Sequence, residues 1–128
     1  MTDGNPLTDA CCAVEQLYDD VENPVADLER LRSDADRIET QAAVFGAFAN
    51  EHRVRILEAL RDGERCVCEL QVVLEAPQST VATHLRTLRD VGLVKSRKKG
   101  RWTYYRIADT AVFELLDVAA AIDVPIDD

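Results

Sequence analysis

The chain has 128 residues and a mass of 14.3 kDa, with 24 acidic and 15 basic side chains and a formal net charge of −9. This length fits one domain, or one domain with an arm, and excludes a large multi-site enzyme. No apolar run approaches the roughly 18 residues that span a bilayer, and the N-terminus lacks the basic and apolar regions of a signal peptide. We therefore expect a cytoplasmic protein that does not associate with a membrane.

The first half of the chain is predicted to be an arm followed by two helices. Residues 1–24 form the expected arm, which is acidic, carries Cys11 and Cys12, and ends where Asn23-Pro24 breaks the chain. The stretch up to residue 49 has the apolar spacing of an amphipathic helix, at positions Ile38, Ala42, Phe45 and Phe48. Asn50 is placed to cap a second helix, predicted to end at Asp62-Gly63 because glycine readily adopts a left-handed C-cap.

The second half begins with a pair of helices. A two-turn helix follows Cys66 and is stopped by Ala76-Pro77, and a longer one is predicted from about Gln78 to Val91, closed by Gly92. The hydrophobic period then changes from about 3.6 to 2, which predicts a hairpin from residues 93–97 and 101–107 around a turn at 98–100. A last helix covers residues 111–122, and residues 124–128 are an acidic tail.

The charges are distributed unevenly along the chain. Residues 51–107 carry twelve basic and seven acidic side chains, residues 1–50 carry three and eleven, and residues 108–128 carry none and six. The hairpin region contains a run of cations without any acid: Lys95, Arg97, Lys98, Lys99, Arg101 and Arg106. Such a run is typical of a phosphate-contacting element, and a solvated charged hairpin is the alternative.

The order of these elements predicts a winged helix-turn-helix: a mainly α fold with a β-hairpin wing, over residues 25–123. In this fold the second helix of the pair enters the DNA major groove and the hairpin lies along the backbone. Val81, Leu85 and Leu88 define the core side of helix 78–91. The candidate DNA contacts are therefore the polar residues on its other sides and the wing cations: Gln78, Ser79, Thr80, Thr83, His84, Arg86, Thr87, Lys95, Arg97, Lys98, Lys99 and Arg101. An ordinary surface helix is the alternative.

Four motifs in residues 45–107 resemble the ArsR/SmtB family of metal-responsive repressors, in the family's order. They are Ala49-Asn-Glu-His-Arg-Val-Arg-Ile-Leu57, Cys66-Val-Cys-Glu-Leu70, Gln78-Ser-Thr-Val-Ala-Thr-His-Leu85 and Gly100-Arg-Trp-Thr-Tyr-Tyr-Arg-Ile107. The resemblance implies a homodimer joined through its first and last helices, which binds a pseudo-palindromic double-stranded operator and leaves it when an inducer binds. The apolar stripes on residues 38–48 and 112–122 also favour a homodimer, because a domain this small cannot bury so much apolar surface by itself.

Cys66 and Cys68 are the candidate inducer site. In a helix, residues two apart point about 200° from each other, so both can bind one ion only where the backbone is extended or a first turn is frayed. A helix N-terminus favours the thiolate, which binds soft metals. The resemblance implies a site for arsenite, antimonite, cadmium, lead or zinc. Arsenite-type sites of this family often have a third cysteine at the position where this chain has Gln71. Further ligands are therefore needed, and the resemblance implies that Cys11 and Cys12 supply them from the partner subunit.

Other interpretations of the cysteines remain open. In the first, Cys66 and Cys68 are ordinary buried core residues, and Cys11 and Cys12 are thiols of the arm without a binding partner. In the second, the protein is a DNA-binding regulator of the same architecture that senses thiol oxidation or persulfide. In the third, it is a thiol enzyme or metal chaperone that does not bind DNA. We expect no enzyme activity, since His52 and His84 have no partner at catalytic or ligand spacing. The acidic composition, with three lysines, also resembles that of proteins from a salt-loaded cytoplasm.

Overall fold

The computed structural model describes residues 13–20, 22–32 and 34–126, so Cys11 and Cys12 lie outside the described residues. The described residues up to Glu39 and those from Thr40 onwards form two compact units. Residues 13–17 are helical. The further helices are α1 (Pro24–Glu29), α2 (Ala35–Phe48), α3 (Glu51–Ala59), α4 (Val67–Leu74), α5 (Gln78–Val91) and α6 (Ala111–Ala121), and the strands are β1 (Arg65–Cys66), β2 (Val94–Lys99) and β3 (Trp102–Ile107).

The hydrophobic core of the second unit holds α3, α4 and α5 together. Each of these helices contributes side chains that are at most 2% exposed, and so do the start of β2 and α6: Ile56, Leu57, Leu70, Val81, Leu85, Leu88, Val94 and Val112. Burying one such side chain contributes about 1.5–3 kcal/mol. The apolar stripe that the sequence places on α5 is thus its core side, which leaves the polar side of this helix to solvent.

A side-chain cap sets the start of α3. The Oδ1 atom of Asn50 accepts a hydrogen bond of 3.1 Å from the backbone N–H of Arg53, which confirms the predicted cap of α3. The prediction that α3 ends at Asp62-Gly63 is wrong, because the helix ends at Ala59. A hydrogen-bonded turn follows, in which the N–H of Gly63 donates to the carbonyl of Leu60 at 3.3 Å. This turn redirects the chain into β1 before a further helical turn forms.

The predicted bounds of α5 are confirmed. The helix begins directly after Pro77 and ends at Gly92, whose φ of 94° is in the left-handed region that glycine adopts easily. The connection from α4 to α5 starts at Glu75, a non-glycine residue with a φ of 51°. Side chains pay a steric cost in this conformation, so the tight turn between the two helices stores some strain.

The three strands form one antiparallel sheet in the order β1-β3-β2. Lys99 pairs with Trp102, so the hairpin turn consists of Gly100-Arg101 and lies one to two residues later than predicted. The reason is that a two-residue hairpin turn needs a positive φ, which Gly100 supplies at 64°. The pairing of Cys66 in β1 with Tyr104 in β3 has no counterpart in the sequence-based prediction.

Apolar side chains remain exposed on α2 and at the C-terminal end of the chain. Ile38 and Phe45 on α2 are 49% and 61% exposed, and Val118 and Ile122 are 61% and 62% exposed. None of the helices within the described ranges combines the length and apolarity that a membrane span requires.

Candidate nucleic-acid interface and cysteine site

The outer side of α5 is a polar surface. Gln78, Ser79, Thr83 and Arg86 are exposed, while Thr80, His84 and Thr87 are half-buried. The N-terminal residues of such a helix and its cationic side chains are suited to reach base edges in a major groove. All seven residues remain predicted DNA contacts, and the structure places them on the solvent side of the helix or at its margin.

Two threonines on this surface are already partly engaged. The hydroxyl of Thr83 donates to the carbonyl of Ser79 at 2.9 Å, and the hydroxyl of Thr87 donates to the carbonyl of Thr83 at 3.3 Å. Because each hydroxyl has a single hydrogen, these side chains offer lone pairs and methyl groups to a ligand in this arrangement. Thymine methyl groups and base amino groups are the matching features of a major groove.

Arg53 on α3 connects the end of α2 to α5. Its guanidinium donates to the carbonyls of Ala47 and Gly46 at 2.7 and 3.2 Å, and its Nη1 atom lies 3.4 Å from Nδ1 of His84. Arginine is always a donor, so Nδ1 of His84 is the acceptor in this pair. The contact therefore requires a neutral His84.

The surroundings of His84 favour that neutral form. Burial lowers the pKa of His84, and the positive charge of Arg53 and the nearby ring of His52 lower it further. The two imidazole centroids are 5.4 Å apart. Nδ1 of His52 is buried and has no hydrogen-bond partner within the described part of the chain. Although the sequence places the two histidines far apart, the fold brings them together where α3 meets α5.

The wing carries the predicted cations on its exposed surface. Lys95, Arg97, Lys98, Lys99 and Arg101 are all exposed. Two of the guanidinium groups lie over aromatic rings: Arg97 is 5.9 Å from the ring centroid of Tyr104, and Arg101 is 5.1 Å from that of Trp102. These contacts keep the long side chains close to the strands, although both remain exposed to solvent.

Arg97 also forms a two-point ion pair with Glu64. Its Nε atom donates to Oε2 of Glu64 at 2.8 Å, and Nη2 donates to Oε1. The hydrogen bond from Arg97 lowers the pKa of Glu64, with the charges of Arg97, Lys99 and Arg106 acting in the same direction. The same contact raises the pKa of Arg97. Glu64 therefore stays ionised beside the wing.

The two described cysteines lie at the junction of β1 and α4. Cys66 precedes the first residue of α4 in an extended conformation, with φ −83° and ψ 166°, and Cys68 lies within the first helical turn. Cys66 is buried and Cys68 is exposed, and both are free thiols. The backbone N–H of Cys66 donates to the Glu69 carboxylate at 2.9 Å. The extended backbone at Cys66 is the local condition under which both sulfurs can face one ion.

The pKa of the Cys68 thiol is raised, contrary to the expectation from the helix N-terminus. The largest cause is the hydrogen bond between its side chain and that of Cys66, followed by burial. The backbone N–H groups of Cys68 and Glu69 act in the opposite direction, as expected at a helix start. The neighbouring Cys66 thiol thus outweighs the helix N-terminus in setting the direction of this shift.

The donor chemistry of the cysteine pair suits a thiophilic ion, since soft thiolate ligands select such metals. Within the described residues, no group of three or more histidine, cysteine, aspartate or glutamate side chains is arranged to hold a metal. Cys66 and Cys68 thus supply two sulfurs, and a site with three or four ligands needs donors from elsewhere. Cys11 and Cys12 lie outside the described residues and remain predicted donors.

Two residues of this surface were missed by the sequence patterns. Arg53 and Glu64 each contact a predicted DNA-binding residue, His84 and Arg97, at separations of 31 and 33 residues along the chain. Neither periodicity nor motif spacing indicates such pairs. The cation run predicted Arg97 as a phosphate contact and did not indicate its pairing with Glu64.

The helix pair, the exposed polar side of α5 and the cationic hairpin define a winged helix-turn-helix DNA-binding protein. The family profile "Bacterial regulatory protein, arsR family" matches residues 50–96. A transcriptional repressor SmtB homolog of Synechocystis is 36% identical over 100 residues, which cover 73% of this chain and 76% of the homolog. An arsenical resistance operon repressor of Bacillus subtilis is 38% identical over 73 residues, which cover 56% of this chain and 70% of the repressor.

A solved structure agrees with these relatives. It is the homodimeric winged helix-turn-helix DNA-binding domain of a possible ArsR-family transcriptional regulator of Mycobacterium bovis, 34% identical with a TM-score of 0.64, covering 70% of this chain and 84% of that one. The chain belongs to the ArsR/SmtB family of transcriptional regulators. The predicted fold class is confirmed. The expectation that the protein is not an enzyme is confirmed too, since the family and its structural relatives are DNA-binding regulators.

Proposed function

We propose that this protein represses transcription by binding operator DNA as a homodimer, and that it leaves the operator when a thiophilic ion binds Cys66 and Cys68. The observation that carries the proposal is the position of the two thiols. Cys66, in an extended conformation, and Cys68 lie at the start of α4, the helix directly before α5, and Cys66 also pairs with Tyr104 in the wing. An ion held there acts at once on both DNA-facing elements.

The homodimer is supported by the exposed apolar surfaces at the two ends of the domain. Ile38 and Phe45 on α2 and Val118 on α6 are about half to three-fifths exposed, and Ile122 follows directly after α6. Large apolar side chains grouped on an exposed helix surface usually mark an interface with another protein. A two-fold arrangement of α5 matches a pseudo-palindromic operator, because each protomer then reads one half-site.

DNA binding is assigned to α5 and the wing. Arg86 is the strongest candidate for base recognition, since an exposed arginine on such a helix can make two hydrogen bonds to guanine. Gln78, Ser79, Thr80, Thr83, His84 and Thr87 complete the helix surface. Lys95, Arg97, Lys98, Lys99 and Arg101 contact phosphates, which adds affinity without sequence preference. The protein works in the cytoplasm, where its operator is.

The ion is arsenite, antimonite, cadmium, lead or zinc, and Cys11 and Cys12 supply the remaining sulfurs. The Bacillus subtilis relative is named for arsenical resistance, which supports a metalloid or metal inducer for this chain. Regulation requires that ion binding weaken DNA binding by a coupling free energy of about 1–3 kcal/mol. Fixing the β1–α4 junction in one geometry is the physical means, since this junction leads into the helix pair.

The test uses a duplex selected from a random library for binding to the full-length protein, followed by fluorescence anisotropy at fixed salt. Arsenite, antimonite, cadmium, lead, zinc and peroxide are added in separate titrations. Cys68→Ser is the sharper variant, because Cys68 is exposed whereas Cys66 is 7% exposed and packs in the core. We expect Cys68→Ser to bind DNA like the wild type and to lose release by the ion.

The paired variant Cys11→Ser/Cys12→Ser separates the arm from the helix. Reduced ion affinity with preserved DNA binding supports a shared site, whereas unchanged ion affinity removes Cys11 and Cys12 from it. Release by peroxide and by no ion would replace the metal proposal with thiol oxidation. Failure to select any duplex would reject both.

A further inference from the structure

Arg97 differs from the other predicted DNA-binding cations of the wing. The Nε and Nη2 edge of its guanidinium is occupied by the Glu64 carboxylate, and the group also lies over Tyr104. Among the described residues, no carboxylate lies within ion-pair distance of Lys95, Lys98, Lys99 or Arg101. The charge of Arg97 is thus already paired with a carboxylate of the same chain at the surface of the wing.

The ion pair lies on the same row of the sheet as the cysteine site. Cys66 in β1 pairs with Tyr104 in β3, and Tyr104 pairs with Arg97 in β2. Residues directly opposite each other in an antiparallel sheet project to the same face. Glu64 precedes Cys66 by two residues and therefore moves with the strand that carries the cysteine.

We propose that Glu64 is a positioning residue that withholds Arg97 from DNA phosphate and links this withholding to the occupancy of Cys66 and Cys68. The Nε and Nη2 edge of Arg97 pairs either with Glu64 or with a phosphate, because the same two donors cannot serve both, and the Glu64 carboxylate repels a phosphate brought beside it. In the DNA-bound state the segment before Cys66 moves, the ion pair with Glu64 breaks, and Arg97 contacts a phosphate of the DNA backbone. The second half of this inference rests on the proposed function.

An ion on the two sulfurs favours the withheld state. The bound ion links Cys66 to Cys68 and so restrains β1. This restraint keeps Glu64 beside the wing and maintains its ion pair with Arg97. The ion then shifts the equilibrium only by its differential affinity for the two states. By the same linkage, DNA that pulls Arg97 away weakens ion binding equally.

The first experiment compares Glu64→Gln with Glu58→Gln in the absence of any ion. Both substitutions remove one negative charge, but Glu58 pairs with Arg61 at 3.5 Å, away from the wing. We expect Glu64→Gln to bind the selected duplex about two- to fivefold more tightly per protomer. The slope of log affinity against log salt should steepen by about 0.9 per protomer, as one more phosphate is contacted. Glu58→Gln should match the wild type in both measurements.

Arg97→Gln provides the second variant. Adding Glu64→Gln to it should produce no further gain in affinity, since the freed arginine is missing. If Glu64→Gln and Glu58→Gln behave alike at every salt concentration, Arg97 is not withheld and the inference is wrong. The same result follows if the double variant still gains affinity, because the gain then comes from charge alone.

Cadmium titrations test the link to the cysteines. Cadmium binding, followed by the thiolate-to-metal absorption band, should be retained in Glu64→Gln, while the cadmium-induced loss of DNA affinity becomes at least about twofold smaller than in the wild type. An unchanged loss would overturn the link and leave the withholding intact. If cadmium binds the wild type without releasing DNA, the proposed function fails for this ion, and the ion-free comparison still decides whether Glu64 withholds Arg97.

Discussion

The recognition helix α5 and the wing both face the proposed DNA, but they are held in different ways. Val81, Leu85 and Leu88 of α5 have no exposed surface, whereas in β2 only Val94 is buried and the next five residues are exposed. The helix is thus positioned by the core and the wing by its strand pairing and a few surface contacts.

This difference separates two tasks in DNA binding. Base recognition needs side chains held in register with the groove, which a helix anchored in a close-packed core provides. Phosphate contact tolerates movement, because the attraction is long-ranged and carries no sequence information. The wing is therefore the element whose contribution can be adjusted without changing what the protein recognises.

The largest expected effect comes from breaking the anchor of the helix. Leu85→Ala removes a fully buried side chain and should destabilise the protein by about 2–5 kcal/mol. Lys98→Ala, on the exposed wing, should change stability by less than about 0.5 kcal/mol. Urea unfolding followed by circular dichroism measures both, and similar losses in the two variants would mean that the wing is as firmly built into the core as the helix.

Arg86→Ala sharpens the comparison at the level of DNA. Arg86 is exposed on α5, and we expect its loss to cost about 1–3 kcal/mol of discrimination against a substituted base pair at one operator position. Lys98→Ala should instead weaken binding to all duplexes alike and lower the salt slope by about 0.9. Anisotropy on a panel of single-substitution duplexes distinguishes the two patterns, and a uniform loss in Arg86→Ala would contradict base recognition by this residue.

Gly92 joins the two regions, since it closes α5 and precedes the wing. At its φ of 94°, Gly92→Ala should cost about 1 kcal/mol from backbone strain alone, because no atom lies within 4 Å of an added Cβ. Glu75→Gly changes the turn at the other end of α5 in the opposite sense and should stabilise by less than about 1 kcal/mol. Thermal unfolding measures both shifts, and the same sign in both variants would reject this account.

The smallest expected effect is a pH dependence of the free energy of unfolding, caused by His84 on α5. Because the folded state lowers the pKa of His84 from 6.5, the unfolded chain binds the proton more readily. Stability is therefore fully present above about pH 6.5 and decreases as the pH falls from there towards the lowered value. The difference in pH dependence between the wild type and His84→Gln, measured by urea unfolding from pH 8 to 5, isolates this residue. Identical pH profiles would show that His84 does not contribute.

Much of the fold was predictable from local patterns in the sequence. The bounds of α5 follow from its apolar spacing and from Pro77 and Gly92 at its ends, and the hairpin follows from the change of period after Gly92. The end of α3 and the hairpin turn were misplaced by a few residues, because Gly63 and Gly100 indicate where a turn is possible but not which residue begins it. For the candidate site, the pattern separated the buried from the polar side of α5, whereas it did not indicate that Arg97 is paired with Glu64.

The sequence by itself determined the class of this protein, the buried and polar sides of α5 and the position of its cysteine pair, since each follows from residue spacings of a few positions. Only the tertiary structure decided that Arg53 meets His84, that Glu64 holds Arg97 and that Cys66 lies beside Tyr104. These contacts depend on how the core packs α3 against α5 and on how β1 joins the hairpin. Packing brings together residues more than thirty positions apart, and no local period along the chain records which of them will meet.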